Sequence, residues 1–218
     1  MSGFPSPNFG ERRGGALPRL IVLHYTAMPS CAAARDRLCS PEHEVSAHWL
    51  ISEGGAAEQL VDEAKRAWHA GAGEWAGIHD INSHSIGIEM ANTGFHPFPE
   101  PQMAALEGLL RDVMKRLAIG PKAVIAHSDM APERKSDPGR RFDWRRLAWA
   151  GLSIWPEAMG DGVRDLGRSL DRIGYPAAPG AARLEAFRLR FRPWAKGPEE
   201  AEDRALADAV AGLFAAQA

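Results

Sequence analysis

Short apolar runs and alternating patterns predict strands in the first part of the chain. Residues 20–25 (LIVLHY) form a continuous apolar run, which is typical of a buried strand. Residues 45–52 (VSAHWLIS) alternate, and together with the turn that follows and residues 56–62 they predict a hairpin. The alternation is clearest in residues 85–91 (SIGIEMA), and residues 123–127 (AVIAH) predict one more short strand.

Helical spacing follows and separates these strands. The longest predicted helix covers residues 101–118, and its apolar stripe consists of Met103, Leu106, Leu109, Leu110, Val113, Met114 and Leu117. Shorter helices are predicted at residues 32–39 and directly after Asp143, whose side chain suits an N-cap. Strands that alternate with helices favour an α/β domain with a central mixed β-sheet flanked by helices. The Gly-, Pro- and Ser-rich segment up to Pro18 is predicted to be an extended arm.

The pattern changes after residue 155, where three helical stripes follow one another. They are Val163, Leu166, Leu170 and Ile173, then Leu184, Phe187 and Phe191, then Leu206, Val210, Leu213 and Phe214. Links with Pro or Gly separate the three. We therefore predict two domains, residues 1–155 and a three-helix unit at residues 156–218 that packs on the first.

Composition and charge exclude several classes of protein. The chain has 218 residues, of which 45% are hydrophobic and 25% charged, so it can bury a globular core. A formal net charge of -2 gives no sign of a nucleic-acid partner. No apolar run approaches the ~20 residues of a membrane span. The first residues show no apolar segment typical of a secretory signal, so we expect a cytoplasmic protein if this start is native, and a periplasmic one stays open otherwise.

The two cysteines, Cys31 and Cys39, lie on a predicted helix. Their spacing puts them about 12 Å apart at ~1.5 Å per residue. A disulfide needs Cα atoms within about 7 Å, so the spacing favours two free thiols.

Ionisable residues gather at the predicted strand ends. His24 lies near the end of one strand and His127 ends another, while Asp137 follows after a loop long enough to fold back. Two histidines and a carboxylate are a standard catalytic zinc set that leaves a fourth position for water. The alternative is that each histidine is an ordinary hydrogen-bonded residue of the core or sheet rim, and the residues alone leave both interpretations open.

Five motifs in a consistent order carry a resemblance to a known family. The chain is similar to the N-acetylmuramoyl-L-alanine amidases of the AmpD and AmiD type, which share a fold with phage T7 lysozyme and peptidoglycan recognition proteins. The motifs are LIVLHYTAM, VSAHWLI, RAWHAG, SIGIEMANTG and AHSDMAPERKSDPG, between about Pro5 and Trp155. The C-terminal unit, with GY and AFRLRFRPW, resembles more loosely the peptidoglycan-binding-like domain of the AmiD branch.

The resemblance implies a role for particular residues. It implies Zn²⁺ as cofactor with His24, His127 and Asp137 as ligands, and catalytic roles for Glu89 and Lys135. Glu89 would take a proton from the attacking water and return it to the leaving nitrogen, and Lys135 would stabilise the oxyanion.

Further residues are candidates for substrate binding. They are Trp68 and His69 in the groove, Asn92 on the peptide stem and Arg134 on stem carboxylates. For His48 a hydrogen-bonded interior position is as well supported as substrate contact. Asp129 and Glu133 are predicted to be loop or capping residues rather than ligands.

The predicted activity is zinc-dependent hydrolysis of the amide between N-acetylmuramic acid and L-alanine in peptidoglycan or muropeptides. One alternative is a peptidoglycan-recognition module without catalysis, but all three ligand candidates and both catalytic candidates are present. A second is a zinc peptidase that cuts the peptide stem, and the sequence contains no HExxH motif. Whether the substrate is polymeric wall or soluble anhydro-muropeptide stays open, as does the oligomeric state.

Overall fold

The centre of the molecule is a five-stranded mixed β-sheet, seen in a computed structural model that describes residues 5–215. The strands of the chain are β1 Phe9–Gly10, β2 Leu20–Tyr25, β3 Trp49–Ile51, β4 Ala57–Gln59, β5 Arg66–Ala67, β6 Ser85–Met90 and β7 Val124–Ala126. The sheet order is β4-β3-β6-β2-β7. Strands β3, β6, β2 and β7 are parallel, and β4 pairs antiparallel with β3 as the predicted hairpin. The predicted fold class is confirmed.

Helices cover both faces of this sheet. They are α1 Cys31–Cys39, α2 Ile81–His84, α3 Glu100–Leu117, α4 His127–Met130, α5 Trp144–Trp149, α6 Leu166–Ile173, α7 Gly180–Phe191 and α8 Ala201–Ala215. Short 3-10 helices occur at Arg13–Gly15, Pro41–His43 and Pro121–Ala123. Asp143 caps α5 as predicted, because its Oδ1 accepts a hydrogen bond from the Arg146 amide at 2.9 Å. The prediction that His127 ends a strand was wrong by one residue, since β7 stops at Ala126 and His127 begins α4.

The two faces of the sheet have different partners because side chains alternate along each strand. The apolar stripe of α3 packs on the face that carries Ile21, Leu23, Ile86 and Ile88. The opposite face carries Leu20 and Val22 and belongs to a second cluster. The polar residues of the site described below lie on the same face, near the ends of β2 and β6.

The C-terminal helices join this second cluster rather than forming a core of their own. Its buried members from the sheet side include Leu20, Val22, Ile125 and Met130, and those from α6, α7 and α8 include Leu166, Leu170, Ile173, Leu184, Phe187, Phe191, Leu206 and Val210. Val163, predicted to start the first stripe, precedes α6 and is 85% exposed. The division at residue 155 stays a prediction, but the buried surface is continuous across it.

The N-terminal segment is held on the domain, which the prediction of an extended arm did not anticipate. Strand β1 pairs with β5, and the buried Arg12 guanidinium donates to the carbonyl oxygens of Glu63, Asn82, Ser83 and Ser85. Burial lowers the pKa of Arg12 to about 10. These carbonyls lie in the loop between β4 and β5, in α2 and at the start of β6, so Arg12 ties the N-terminal segment to all three.

Two further predictions concern the cysteines and membrane-spanning segments. Cys31 and Cys39 occupy the two ends of α1 as free thiols. Within residues 5–215, every helix is too short or too polar to cross a membrane.

The shared cluster predicts that the sheet and the C-terminal helices unfold together. Phe187 is fully buried in it, so Phe187→Ala should destabilise the protein by about 3–5 kcal/mol. Hydrogen exchange measured by mass spectrometry should show faster exchange in β2 as well as in α7. Normal protection of β2 in this variant would contradict a common unfolding unit.

Candidate metal centre

Three polar side chains meet where β2 and β7 end. The strands are parallel neighbours, so His24 near the end of β2 and His127 just after β7 reach the same edge of the sheet. The loop after α4 folds back and brings Asp137 to them. Nδ1 of His24 lies 2.9 Å from Nδ1 of His127 and 2.9 Å from Oδ2 of Asp137, and the remaining separation is 3.0 Å. All three residues are buried.

The proton on His24 is placed by a chain of hydrogen bonds that ends on a carbonyl. Ser85 donates its only hydroxyl proton to the carbonyl oxygen of Ile81 at 2.6 Å, so its Oγ accepts from Nε2 of His69 at 3.1 Å. Burial lowers the pKa of His69 well below its usual value, and a neutral ring that donates through Nε2 has a bare Nδ1. His24 Nε2 therefore donates to that atom at 3.0 Å. Burial, with the neighbouring His127, lowers the pKa of His24 to about 4, so the Nδ1 of His24 carries no proton.

Gly87 in β6 leaves room for the His69 ring, which takes part in these hydrogen bonds. A Cβ at Gly87 would lie 2.4 Å from Cγ of His69, so no side chain fits there while His69 keeps its place. His48 lies behind the same strand, is fully buried, and accepts a hydrogen bond from the Gly87 amide at 2.9 Å. Of the two interpretations of His48, its contacts favour the interior group.

His127 is oriented in the same way from the other side. Its Nε2 lies 2.9 Å from the carbonyl oxygen of Ala70, which accepts and cannot donate, so Nε2 carries the proton. In the neutral ring, Nδ1 is then bare. Arg134 donates to the same oxygen at 3.0 Å and also to the carbonyl of Ala72, which holds the loop in place.

The donor set fits a metal cation. Three bare acceptor atoms, two imidazole nitrogens and a carboxylate oxygen, converge with no proton between them, an arrangement that is repulsive until a cation is bound. Burial raises the pKa of Asp137, but the two neighbouring imidazoles outweigh burial and hold the pKa well below its usual range, so Asp137 supplies a carboxylate oxygen. Atoms bound at ~2.0–2.1 Å around tetrahedral zinc lie about 3.3 Å apart, close to the separations seen here.

Glu89 reaches the same place from β6. It is the register partner of His24 in the neighbouring parallel strand, so both side chains lie on one face of the sheet. Within residues 5–215 its buried Oε2 has no hydrogen-bond partner. Burial, with a contribution from Asp137, raises the pKa of Glu89 to about 8, and the nearby Lys135 ammonium opposes this rise.

A cavity of about 370 Å³ opens over these groups. Trp68, His69, Arg134 and Lys135 line it together with the three clustered side chains and Glu89. Sequence reasoning missed its apolar wall, which consists of Met28, Ala34, Leu38 and Val45. The i, i+4 spacing of two wall residues in α1 was the available signal.

Two substrate-binding candidates make hydrogen bonds to the backbone that the sequence did not predict. Asn92 is 2% exposed; its Oδ1 accepts from the Gly94 amide at 2.7 Å and its Nδ2 donates to the His96 carbonyl at 3.3 Å. It therefore shapes its own loop and does not line the cavity. Arg134 lines the cavity, yet one of its guanidinium nitrogens is used at Ala70 and Ala72.

Known proteins share this fold over almost the whole chain. AmiD of Escherichia coli (strain K12), an N-acetylmuramoyl-L-alanine amidase, is 36% identical over 89% of this chain and 83% of its own length. Its structure in complex with the substrate anhydro-N-acetylmuramic acid-L-Ala-D-gamma-Glu-L-Lys has a TM-score of 0.82, with 95% of this chain and 98% of that one covered. AmpDh3 of Pseudomonas aeruginosa in complex with anhydromuramic pentapeptide has a TM-score of 0.83 at 30% identity, covering 98% and 96%.

A further relative matches about two thirds of the chain. AmpD of Haemophilus influenzae, a 1,6-anhydro-N-acetylmuramyl-L-alanine amidase, is 33% identical over 65% of this chain and 86% of its own length. The family match spans residues 14–140, the segment that contains the sheet, the clustered histidines and Asp137. With this match and the extent of the relatives, the chain belongs to the N-acetylmuramoyl-L-alanine amidase family.

Proposed function

We propose that the protein is a zinc-dependent hydrolase that cuts the amide bond between N-acetylmuramic acid and L-alanine. The observation that carries this proposal is the convergence of His24 Nδ1, His127 Nδ1 and Asp137 Oδ2 within 3.0 Å of one another beside Glu89, whose buried Oε2 has no hydrogen-bond partner within residues 5–215. His24, His127 and Asp137 would hold the ion. Bound there, zinc supplies Lewis acidity toward water and toward a carbonyl oxygen.

The residues of the chain then provide the proton transfer. Glu89 is half-buried with its Oε2 fully buried, lies on the same face of the sheet as His24 and has a raised pKa, which suits a group that must both take and return a proton near neutral pH. It would take the proton of the attacking water and return it to the leaving nitrogen of L-alanine. The Lys135 ammonium lines the cavity and would stabilise negative charge on the carbonyl oxygen.

The substrate we propose is a muropeptide with its stem attached, such as an anhydro-muropeptide released in wall turnover. Two structural relatives are described in complex with anhydromuramic peptides. The cavity here offers an apolar wall for small side chains and exposed cations for carboxylates. Trp68, half-buried at the cavity, is the candidate for contact with the sugar or stem.

Loss of a ligand should remove metal and activity together. His127→Ala and Asp137→Ala should each abolish bound zinc, measured by elemental analysis, and amide hydrolysis. Product masses from soluble anhydro-muropeptides and from intact sacculi, with and without a chelator, identify the bond and the substrate form. His79→Ala is the control, since this histidine is exposed, with 78% of its side-chain surface accessible. Full activity in zinc-free protein, or cleavage inside the stem, would contradict the proposal.

Glu89→Gln should separate metal binding from turnover. The amide keeps the shape of the side chain but cannot accept the proton, so zinc should remain while turnover falls by roughly 10²–10⁴-fold. Turnover near that of the wild type would remove Glu89 from the mechanism.

The same variant should change the stability of the metal-free protein in a pH-dependent way. The pKa of Glu89 is raised from 4.5 to about 8 in the folded state, so between these values the folded protein binds a proton that the unfolded chain has lost. Stability therefore falls as pH rises through this window. Glu89→Gln should melt at a higher temperature than the wild type at pH 8 and at a similar temperature near pH 4.

The series of hydrogen bonds from His24 through His69 and Ser85 to the Ile81 carbonyl can be tested by measuring metal affinity. His69→Phe removes the acceptor for the Nε2 proton of His24, and Gly87→Ala forces the His69 ring to move. Each should lower zinc affinity by roughly 10–100-fold in competition with a chromogenic chelator. His69→Gln keeps an acceptor and should retain more affinity than His69→Phe; equal affinity in wild type and His69→Phe would show that the chain has no such role.

A further inference from the structure

The turn that carries His127 is held by one residue of α7 and one of the loop between α6 and α7. Asp129, the third residue of α4, is fully buried. Its Oδ1 accepts from the Tyr175 hydroxyl at 2.8 Å, and its Oδ2 accepts from Nη1 of Arg190 at 2.7 Å. Both donors lie outside the matched family segment, which ends at residue 140. Asp129 is therefore the point where the C-terminal helices touch the metal-binding turn.

Besides Asp129, Arg190 contacts the strand that leads into this turn. Its Nη2 donates to the Val124 carbonyl at the start of β7 and to Oγ of Ser153, each at 3.1 Å. The guanidinium also lies 4.3 Å from the centre of the Trp144 ring. Arg190 is 3% exposed, so its several contacts fix it as a rigid element rather than a surface ion pair.

Asp129 in turn fixes the backbone around His127. Its Oδ2 also accepts from the Ala126 amide at 2.9 Å, the residue directly before His127. Two residues further on, the Ser128 amide donates to the carbonyl of Asp137 at 3.0 Å. One buried carboxylate thus sets the turn from which His127 projects, and that turn holds the backbone of Asp137.

We infer that Tyr175 and Arg190 are positioning residues for the metal centre, acting through Asp129 on His127 and Asp137. The C-terminal helices are then part of the scaffold of the site, whatever they bind themselves. This inference rests on the proposed function, because it assumes that His127 and Asp137 hold a metal. Neither residue touches the reacting atoms.

The test compares two buried aspartates that each pair with an arginine of α7. Asp129→Asn weakens the contact with Arg190, and Asp203→Asn weakens the contact of Asp203 with Arg188, whose Nε lies 2.9 Å from Oδ1 within the C-terminal helices. Tyr175→Phe removes only the hydroxyl that donates a hydrogen bond to Asp129, so of these variants it should disturb the fold least. Zinc affinity is measured by competition with a chelator, and Co²⁺ is used as a spectroscopic probe of ligand geometry.

Asp129→Asn and Tyr175→Phe should lower zinc affinity roughly tenfold or more and change the visible spectrum of bound Co²⁺. Asp203→Asn should lower the melting temperature but leave affinity within about twofold and the spectrum unchanged. Wild-type affinity and spectrum in Tyr175→Phe and Asp129→Asn would overturn the inference and leave the proposed function intact. A wild-type protein that binds no zinc at these ligands would overturn both.

Discussion

Three acceptor atoms without a proton between them, buried and about 3 Å apart, are the constraint around which the rest of this site is arranged. Each histidine presents an unprotonated Nδ1 because its Nε2 carries the proton and donates it in a hydrogen bond to an atom that can only accept. The carbonyls of Ile81 and Ala70 are such groups, one through Ser85 and His69 and one directly. A bound cation would relieve this repulsion, so metal binding would also raise the free energy of unfolding.

The sheet supplies the geometry that this constraint requires. Parallel pairing of β2 with β6 places His24 beside Glu89, and pairing with β7 brings His127 to the same edge. Gly87 leaves the space in which His69 supports His24. The cost is Glu89, whose buried Oε2 has no hydrogen-bond partner within residues 5–215 and whose pKa is raised to about 8, so that ionising it destabilises the metal-free fold.

Residues whose role follows from local pattern were predictable, and those whose role depends on distant partners were not. A continuous apolar run located His24 on a strand, alternation did the same for Glu89, and a short apolar run located His127 within one residue. Nothing local distinguished Asp129 from Glu133, because the donors to Asp129 are 46 and 61 residues away in the sequence. The contact of His69 with Ser85 spans 16 residues and depends on the fold in the same way.

The C-terminal helices show why a boundary drawn from sequence does not divide the energetics. Removing them would expose Leu20, Val22 and Ile125 of the sheet and take away the two side chains, Tyr175 and Arg190, that donate to Asp129. Replacing Arg190 alone would leave the charge of Asp129 buried and unpaired, which costs about 3–5 kcal/mol, a large part of the stability of a domain. A ligand that shifts α7 would therefore act on the His127 turn through Arg190, along a rigid contact rather than a flexible linker. The C-terminal helices and the turn that carries His127 are then physically connected.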